Sequence, residues 1–252
     1  MKAEGLTDKR VLITGATSAI GSAIARSFAE NGAIVGLHYR DSHERANELL
    51  GEMQKKSGNA KTFQADLSNL RETERLLEVF VKEFRGIDIL VNNAGAAYEY
   101  KHFSEVGEKT WDMTYNLNVK APFFLGSRAF VHMKSQKWGR ILNISSVSVN
   151  YAGANSLHYT SSKAALDMLT SGFAKDGAQY NILANSIRCG VIETSMHNRV
   201  SNYTEEQYRK RIAMIPLKRP GLPIEVAQMV VFLASEYGNF ITGEIFPVAG
   251  GE

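Results

Sequence analysis

Tyr159 and Lys163 stand four residues apart, and the run that follows, residues 164–169, has the composition of a helix interior. Residues four apart share a helix face, so a phenol and an ammonium would project side by side into whatever the helix borders. A cation at that distance favours phenolate, which predicts a Tyr159 pKa below its unperturbed value of about 10. That is one way to build a general acid/base from tyrosine. Ser146 lies thirteen residues earlier, just after the apolar run 141–144. A strand end and a helix start can bring three polar groups around one carbonyl.

The elements that must position them follow from pattern. Residues 11–14 are a short apolar strand running into Gly15-Ala16-Thr17-Ser18-Ala19-Ile20-Gly21, and a helical pattern follows in Ile24, Ala25, Phe28 and Ala29. Strand, glycine turn and helix in this order bring backbone N–H groups to a phosphate. Gly15 makes the turn and Gly21 lets the helix pack closely. A second strand, 33–39, ends in Tyr39-Arg40-Asp41. In a dinucleotide fold an acid here bonds the ribose 2′-hydroxyl and an arginine suits a 2′-phosphate. Arg40 favours NADP(H), while Asp41 keeps NAD(H) open or caps the next helix.

A third strand, 61–65, closes on Asp66-Leu67. Asp66 could accept from an adenine amino group or cap the helix that begins near Asn69. A fourth strand, 87–91, leads to Asn92-Asn93-Ala94-Gly95, and 96–107 is a long loop expected to wall a pocket. One helix is expected over 111–133, bent by Pro122. Its Asn118 is either a satisfied core asparagine or part of a site. Strand 139–144, helix 157–178, strand 182–187, helix 223–235 and strand 243–248 complete the chain. Between them, residues 193–215 are polar and suit a lid. The alternation predicts one domain, a doubly wound parallel α/β sheet with helices on both faces.

Bulk properties narrow the classes. The 252 residues suffice for one large core, and a net charge of +3 with interspersed signs argues against a nucleic-acid stripe. Cys189 is the single cysteine, so no intrachain disulfide can form and a reducing compartment is expected. No apolar run approaches a membrane span, and the N-terminus has no signal core, so a cytoplasmic protein is expected. The six histidines form no metal-ligand pattern.

Taken together, the residues resemble the short-chain dehydrogenase/reductase family over essentially the whole chain, with a likeness to its 3-oxoacyl-[acyl-carrier-protein] reductases. Thr14 to Gly21 is similar to the family's Thr-Gly-x-x-x-Gly-x-Gly turn. Asn92-Asn93-Ala94-Gly95 resembles its fourth-strand motif. Asn118, Ser146, Tyr159 and Lys163 match its catalytic tetrad in order and spacing. Gly190-Val191-Ile192-Glu193-Thr194 resembles the segment that holds the nicotinamide carboxamide. The resemblance implies a dinucleotide held by Gly15, Thr17, Ser18, Ile20, Gly21, Tyr39, Arg40, Asp66, Leu67, Asn92, Ala94, Gly95, Tyr159, Lys163, Gly190, Ile192 and Thr194. Three positions depart from the pattern: Ala19 for the middle glycine, Cys189 for a proline, and Ala249 for an aspartate. The second leaves the nicotinamide-side turn less rigid; the third concerns the tail, with assembly as its expected consequence.

The resemblance further implies hydride transfer between nicotinamide C4 and a carbonyl or alcohol carbon. Tyr159 would donate the proton, Ser146 would fix the oxygen, Lys163 would lower the tyrosine pKa and bind the ribose, and Asn118 would hold a water linking Lys163 to solvent. Ala96, Ala97, Tyr98, Ser148, Asn155, Val191, Met196 and His197 could line the substrate pocket by position. A 3-oxoacyl thioester, a small ketone, a sugar or a polyol all remain open as substrate. A phosphopantetheine-carrying partner would want a basic rim; Lys134 and Lys137 are available near the fifth strand, but Tyr180 and Asn181 add no charge near the other expected rim. A dinucleotide-binding sensor without turnover is the rival from another class; the complete tetrad speaks against it. Apolar residues around the helix after Tyr159 suggest burial on more than one face, and the family implies a homotetramer, with a dimer as alternative.

Overall fold

The computed structural model describes residues 3–56, 59–194 and 204–252. Seven parallel strands form one sheet in the order β3-β2-β1-β4-β5-β6-β7. They are β1 (Arg10–Ile13), β2 (Ile34–Tyr39), β3 (Ala60–Gln64), β4 (Ile89–Asn92), β5 (Gly139–Ser146), β6 (Ile182–Cys189) and β7 (Ile245–Val248). Strand order reverses between β1 and β4, and the crevice beyond the carboxyl ends at such a point is where ligands bind in open α/β sheets.

Helices cover both faces because the inner strands are apolar on both sides. The helices are α1 (Ala19–Glu30), α2 (His43–Lys56), α3 (Leu70–Phe84), α4 (Glu108–Tyr115), α5 (Ala121–Gln136), α6 (Ser148–Tyr151), α7 (Leu157–Gly177), α8 (Glu205–Met214) and α9 (Pro223–Ala234). One core packs Ile24 and Phe28 of α1 and Val226 and Val230 of α9 against Val11, Ile13, Val35 and Ile144. The other packs Leu76, Leu77 and Phe80 of α3 and Leu125, Ala129 and Met133 of α5 against Leu12, Leu90 and Ile141. Period-two alternation along each strand divides the two sets.

The expected helix over 111–133 is three pieces. Between α4 and α5, residues Asn116–Lys120 form a π-helical turn in which Ala121 N–H reaches back to Asn116 O. The extra residue places Pro122 in the first turn of α5, where its missing N–H costs least. The predicted kink is thus a widened turn, and it carries Asn118 at its centre. Such turns recur at functional sites. Among the described residues, no helix is long and apolar enough to cross a membrane.

Candidate active site

The glycine turn is built as its spacing suggests. Gly15 has φ +62°, a left-handed conformation that glycine adopts without penalty. A Cβ on Gly21 would meet Gly15 O at 2.3 Å, so α1 can start only where it does. Ser18 caps α1 by accepting from Gly21 N–H at 3.0 Å. Two residues not expected in the site lock this turn. His38 on β2 accepts from Gly15 N–H through Nδ1 at 2.9 Å and bonds Ala65 O through Nε2 at 3.0 Å. Burial lowers its pKa to about 4, so it stays neutral and can keep accepting. Asn93 donates through Nδ2 to Thr14 O and Gly15 O. The signal for His38 in the sequence was a lone polar residue in an apolar strand.

Asn92 differs from expectation. Its side chain points into the sheet and donates to Asn143 Oδ1 at 2.8 Å, because alternation turns it away from the crevice that Asn93 faces. Leu67 likewise buries its side chain in the second core. Asp66 does not cap α3; Asn69 does, and Asp66 Oδ1 accepts from Ser68 N–H and O–H. Arg40 is exposed and donates through Nε to Asp41 Oδ2 at 2.5 Å, so the two charges expected to compete are paired with each other. Tyr39 is buried and its hydroxyl meets His43 Nδ1 at 2.7 Å.

Tyr98 stands apart from the substrate pocket. Its backbone is left-handed, φ +56°. Its hydroxyl bonds Arg40 within the field of Asp66. Arg40 itself lines a cavity with Asp41, Gln64 and Asp66 at the carboxyl ends of β2 and β3.

The catalytic candidates converge at the carboxyl ends of β4, β5 and β6. Ser146 hydrogen-bonds the Tyr159 hydroxyl. Lys163, one turn along α7, is buried and donates to Ile144 O at 2.8 Å. Its Nζ lies 5.8 Å from the Tyr159 ring centroid. A Cβ on Gly95 would stand 3.0 Å from that amine and 3.2 Å from Asn118 Oδ1, so only glycine leaves the cradle open here. Asn118 is fully buried. It accepts from Ala96 N–H at 3.0 Å and donates to Ala96 O at 3.0 Å and Ser162 Oγ at 2.9 Å. Both amide protons are spent on protein, so the side chain clamps the loop after β4. His158 adds a second clamp through Nε2 to Ala97 O at 2.9 Å.

The electrostatics correct one expectation. Burial pushes the Tyr159 pKa up to about 12, opposed by the Ser146 hydrogen bond. Burial also brings Lys163 down to about 8. Lys163 directs its amine to a backbone carbonyl, so desolvation outweighs any help it gives the phenolate. The protein alone therefore holds Tyr159 as a phenol, the form of a proton donor.

The turn after β6 is held by neighbours on both sides. Cys189 pairs with Ser146 and with Val248, so ladder bonds do what a proline ring would do there. Its thiol is buried and pushed up to about 12. A Cβ on Gly190 would meet Ala249 Cα at 2.8 Å, so the tail around Ala249 packs on this turn, not away from the chemistry. Ile192 is buried and bridges to Gly221. Ser148 and Val191 are partly covered at the cleft, and Asn155 is exposed. Thr17, Ala94 and Thr194, in the segments after β1, β4 and β6, and Ile20 in the first turn of α1 are partly covered. Met196 and His197 lie outside the described residues. Lys134 and Lys137 sit at the end of α5, beside the start of β5. Ser146 is seven residues further along that strand, roughly 23 Å away, so they give the cleft no basic rim.

Comparison with known proteins agrees with this geometry. Residues 15–252 match a family model described as enoyl-(acyl carrier protein) reductase. The chain is 36% identical to the 3-oxoacyl-[acyl-carrier-protein] reductase FabG of Aquifex aeolicus over 98% of both chains. It is 33% identical to the hydroxynaphthalene reductase-like protein Arp2 of Metarhizium robertsii, covering 98% of this chain and 95% of that one. A blue fluorescent protein from a metagenomic library, solved with NADPH, superposes with TM-score 0.89 at 31% identity over 98% of this chain and 99% of that one. A glycine cradle at the sheet's switch point, a serine-bonded phenol beside a buried amine, and these likenesses across the full length place the chain in the short-chain dehydrogenase/reductase family of oxidoreductases.

Proposed function

We propose that the chain is an NADP(H)-dependent carbonyl reductase with Tyr159 as general acid. The observation that carries this is the Tyr159 hydroxyl, kept protonated by burial and bonded to Ser146, one helical turn from the Lys163 amine. The left-handed Gly15 and the open space at Gly95 fit a dinucleotide backbone, and Arg40 suits a 2′-phosphate. The NADPH-bound neighbour supports that choice. When bound, the dinucleotide supplies the hydride. Tyr159 gives its proton to the developing alkoxide, and Ser146 donates to the same oxygen. Lys163 would hold the nicotinamide ribose and would place a positive charge near the tyrosinate that results. Asn118 fixes the Ala96 backbone at the cleft and so shapes the space in which the carbonyl lies.

The likeness to a 3-oxoacyl reductase makes a 3-oxoacyl thioester the first substrate to try. We read the segment 193–215, which includes α8, as a lid on a single catalytic domain. We read the exposed Val131 and Met168 (64% and 71% accessible) as assembly contacts on α5 and α7, which light scattering would test. The decisive experiment measures NADPH consumption over thioesters, aromatic and small ketones, with Tyr159→Phe as control. The variant should bind NADPH, seen by fluorescence, and lose about 10³-fold in kcat. Near-normal turnover in Tyr159→Phe would remove the proton-donor assignment.

A further inference from the structure

α8 is held differently from the helices that cover the sheet. None of its ten residues is buried, whereas α1, α3, α5 and α9 sink apolar side chains into the two cores. Most helices in folded proteins owe their stability to such packing. The outer charges of α8 do not replace it: Glu205 pairs with Arg209 and Glu206 with Lys210, one turn apart and exposed. Pairs of that kind tie a helix to itself. Arg211 reaches out of the helix instead. Its guanidinium pairs with Glu252 Oε1, and the Glu252 side chain is only 4% accessible. Glu252 Oε2 is buried too and has no hydrogen-bond partner among the described residues. It lies 3.0 Å from where a Cβ on Gly190 would stand. A carboxylate is thus seated against the turn after β6, and its paired cation comes from α8.

The backbone of the tail makes the same link. Leu217 N–H, just past α8, donates to Gly250 O at 3.1 Å, and Gly190 N–H donates to Val248 O at 3.0 Å. Gly250 and Gly251 have φ +67° and +99°. A Cβ on either would meet Ile215 Cγ2 at 2.8 Å or Pro216 Cγ at 2.9 Å. Residues 248–252 therefore touch the end of α8 on one side and the Gly190 turn on the other. The ion pair is the part of this link that a single side chain can undo. Without Arg211 the carboxylate is desolvated and unpaired, a far larger cost than losing an exposed pair. It must then leave its seat against Gly190.

We propose that Glu252 and Arg211 are positioning residues: their ion pair fastens α8 to the turn at Gly190, so that a ligand seated on that turn also steadies α8. The second half rests on the reading of the turn as the nicotinamide side of a dinucleotide site. The fastening itself does not, and it is measured on the unliganded protein.

The test is hydrogen exchange read by mass spectrometry on the full-length protein, with peptides of α1 and α9 as reference. Glu252→Gln keeps the side chain's shape and removes its charge; Arg211→Gln removes the other partner. Each should speed exchange over residues 205–217 about tenfold and leave α1 and α9 at the wild-type rate. The double variant should be no faster than either single one, because the two residues share one joint. Arg211→Lys keeps the cation and should return the rate towards the wild type. Saturating NADPH should slow exchange over 205–217 in the wild type, and that protection should vanish in Glu252→Gln, with binding followed by fluorescence. Unchanged exchange in both single variants overturns the fastening. A rise shared equally by α1 and α9 overturns it as well, since that is general loosening. Protection by NADPH that survives in Glu252→Gln overturns the coupling to the ligand. If NADPH binds neither wild type nor variants, the dinucleotide reading falls and the coupling with it, while the unliganded rates still decide the fastening.

Discussion

The glycine turn and the catalytic corner sit at the carboxyl ends of neighbouring strands, yet they treat burial in opposite ways. At the turn the polar groups that hold the backbone are neutral: His38 and Asn93 satisfy Gly15 and Thr14 from two sides. At the corner a phenol and an ammonium are desolvated and moved in opposite directions, to about 12 and about 8. Saturated neutral bonds give a rigid seat. Burial of titratable groups beside the reacting atoms gives chemistry, because it moves proton affinities where a reaction can use them. The loop after β4 lies between the two and is clamped by Asn118 and His158, so the seat and the corner keep one spacing.

That contrast can be broken from the corner first. Tyr159→Phe removes the proposed proton donor and leaves the seat, so kcat should fall about 10³-fold with the NADPH affinity unchanged; calorimetric titration checks the second half. Next comes the seat. His38→Leu leaves the buried Gly15 N–H without an acceptor, which costs about 1–3 kcal/mol. Thermal denaturation should show that loss, and KM for NADPH should rise while kcat at saturation stays near the wild type. The opposite pattern, lost kcat with unchanged cofactor KM, would erase the distinction between the two regions.

Acid should find the seat as well. His38 titrates at about 4 when folded against 6.5 when free, so the unfolded chain binds more protons between those values. Stability is therefore full above pH 6.5 and is lost as pH falls towards 4, by about 3 kcal/mol at most. Urea midpoints measured across that window should decline in the wild type and stay flatter in His38→Leu. Base should find the corner. Lys163 loses its charge as pH rises through about 8, so kcat/KM should decline above that point. The smallest effect concerns Cys189. With its thiol pushed up to about 12 and buried, it should resist alkylation at pH 8 in the folded protein and react only on unfolding.

Much of this was legible in the chain. Apolar runs of four to eight residues fixed the strands, and glycine with small residues between strand and helix fixed the turn, because those patterns depend on local sterics. The tetrad was legible because two of its members are bound by one helical turn and a third by a strand end. The bond between Tyr98 and Arg40 was not legible, because it depends on a left-handed backbone that local sequence does not demand. Which of Asn92 and Asn93 bonds the neighbouring strand and which holds the glycine turn was not legible, because one residue of strand register decides it.

The sequence by itself determined which groups could react and in what order they reach the sheet's edge. Only the tertiary structure decided their protonation and their partners. A phenol's proton affinity depends on how much water the rest of the fold removes, and that is a sum over residues from β4, β5, β6 and α7 that are distant in the chain. The same holds for Asn118, whose three bonds to Ala96 and Ser162 exist only once the widened turn before α5 has set it between them.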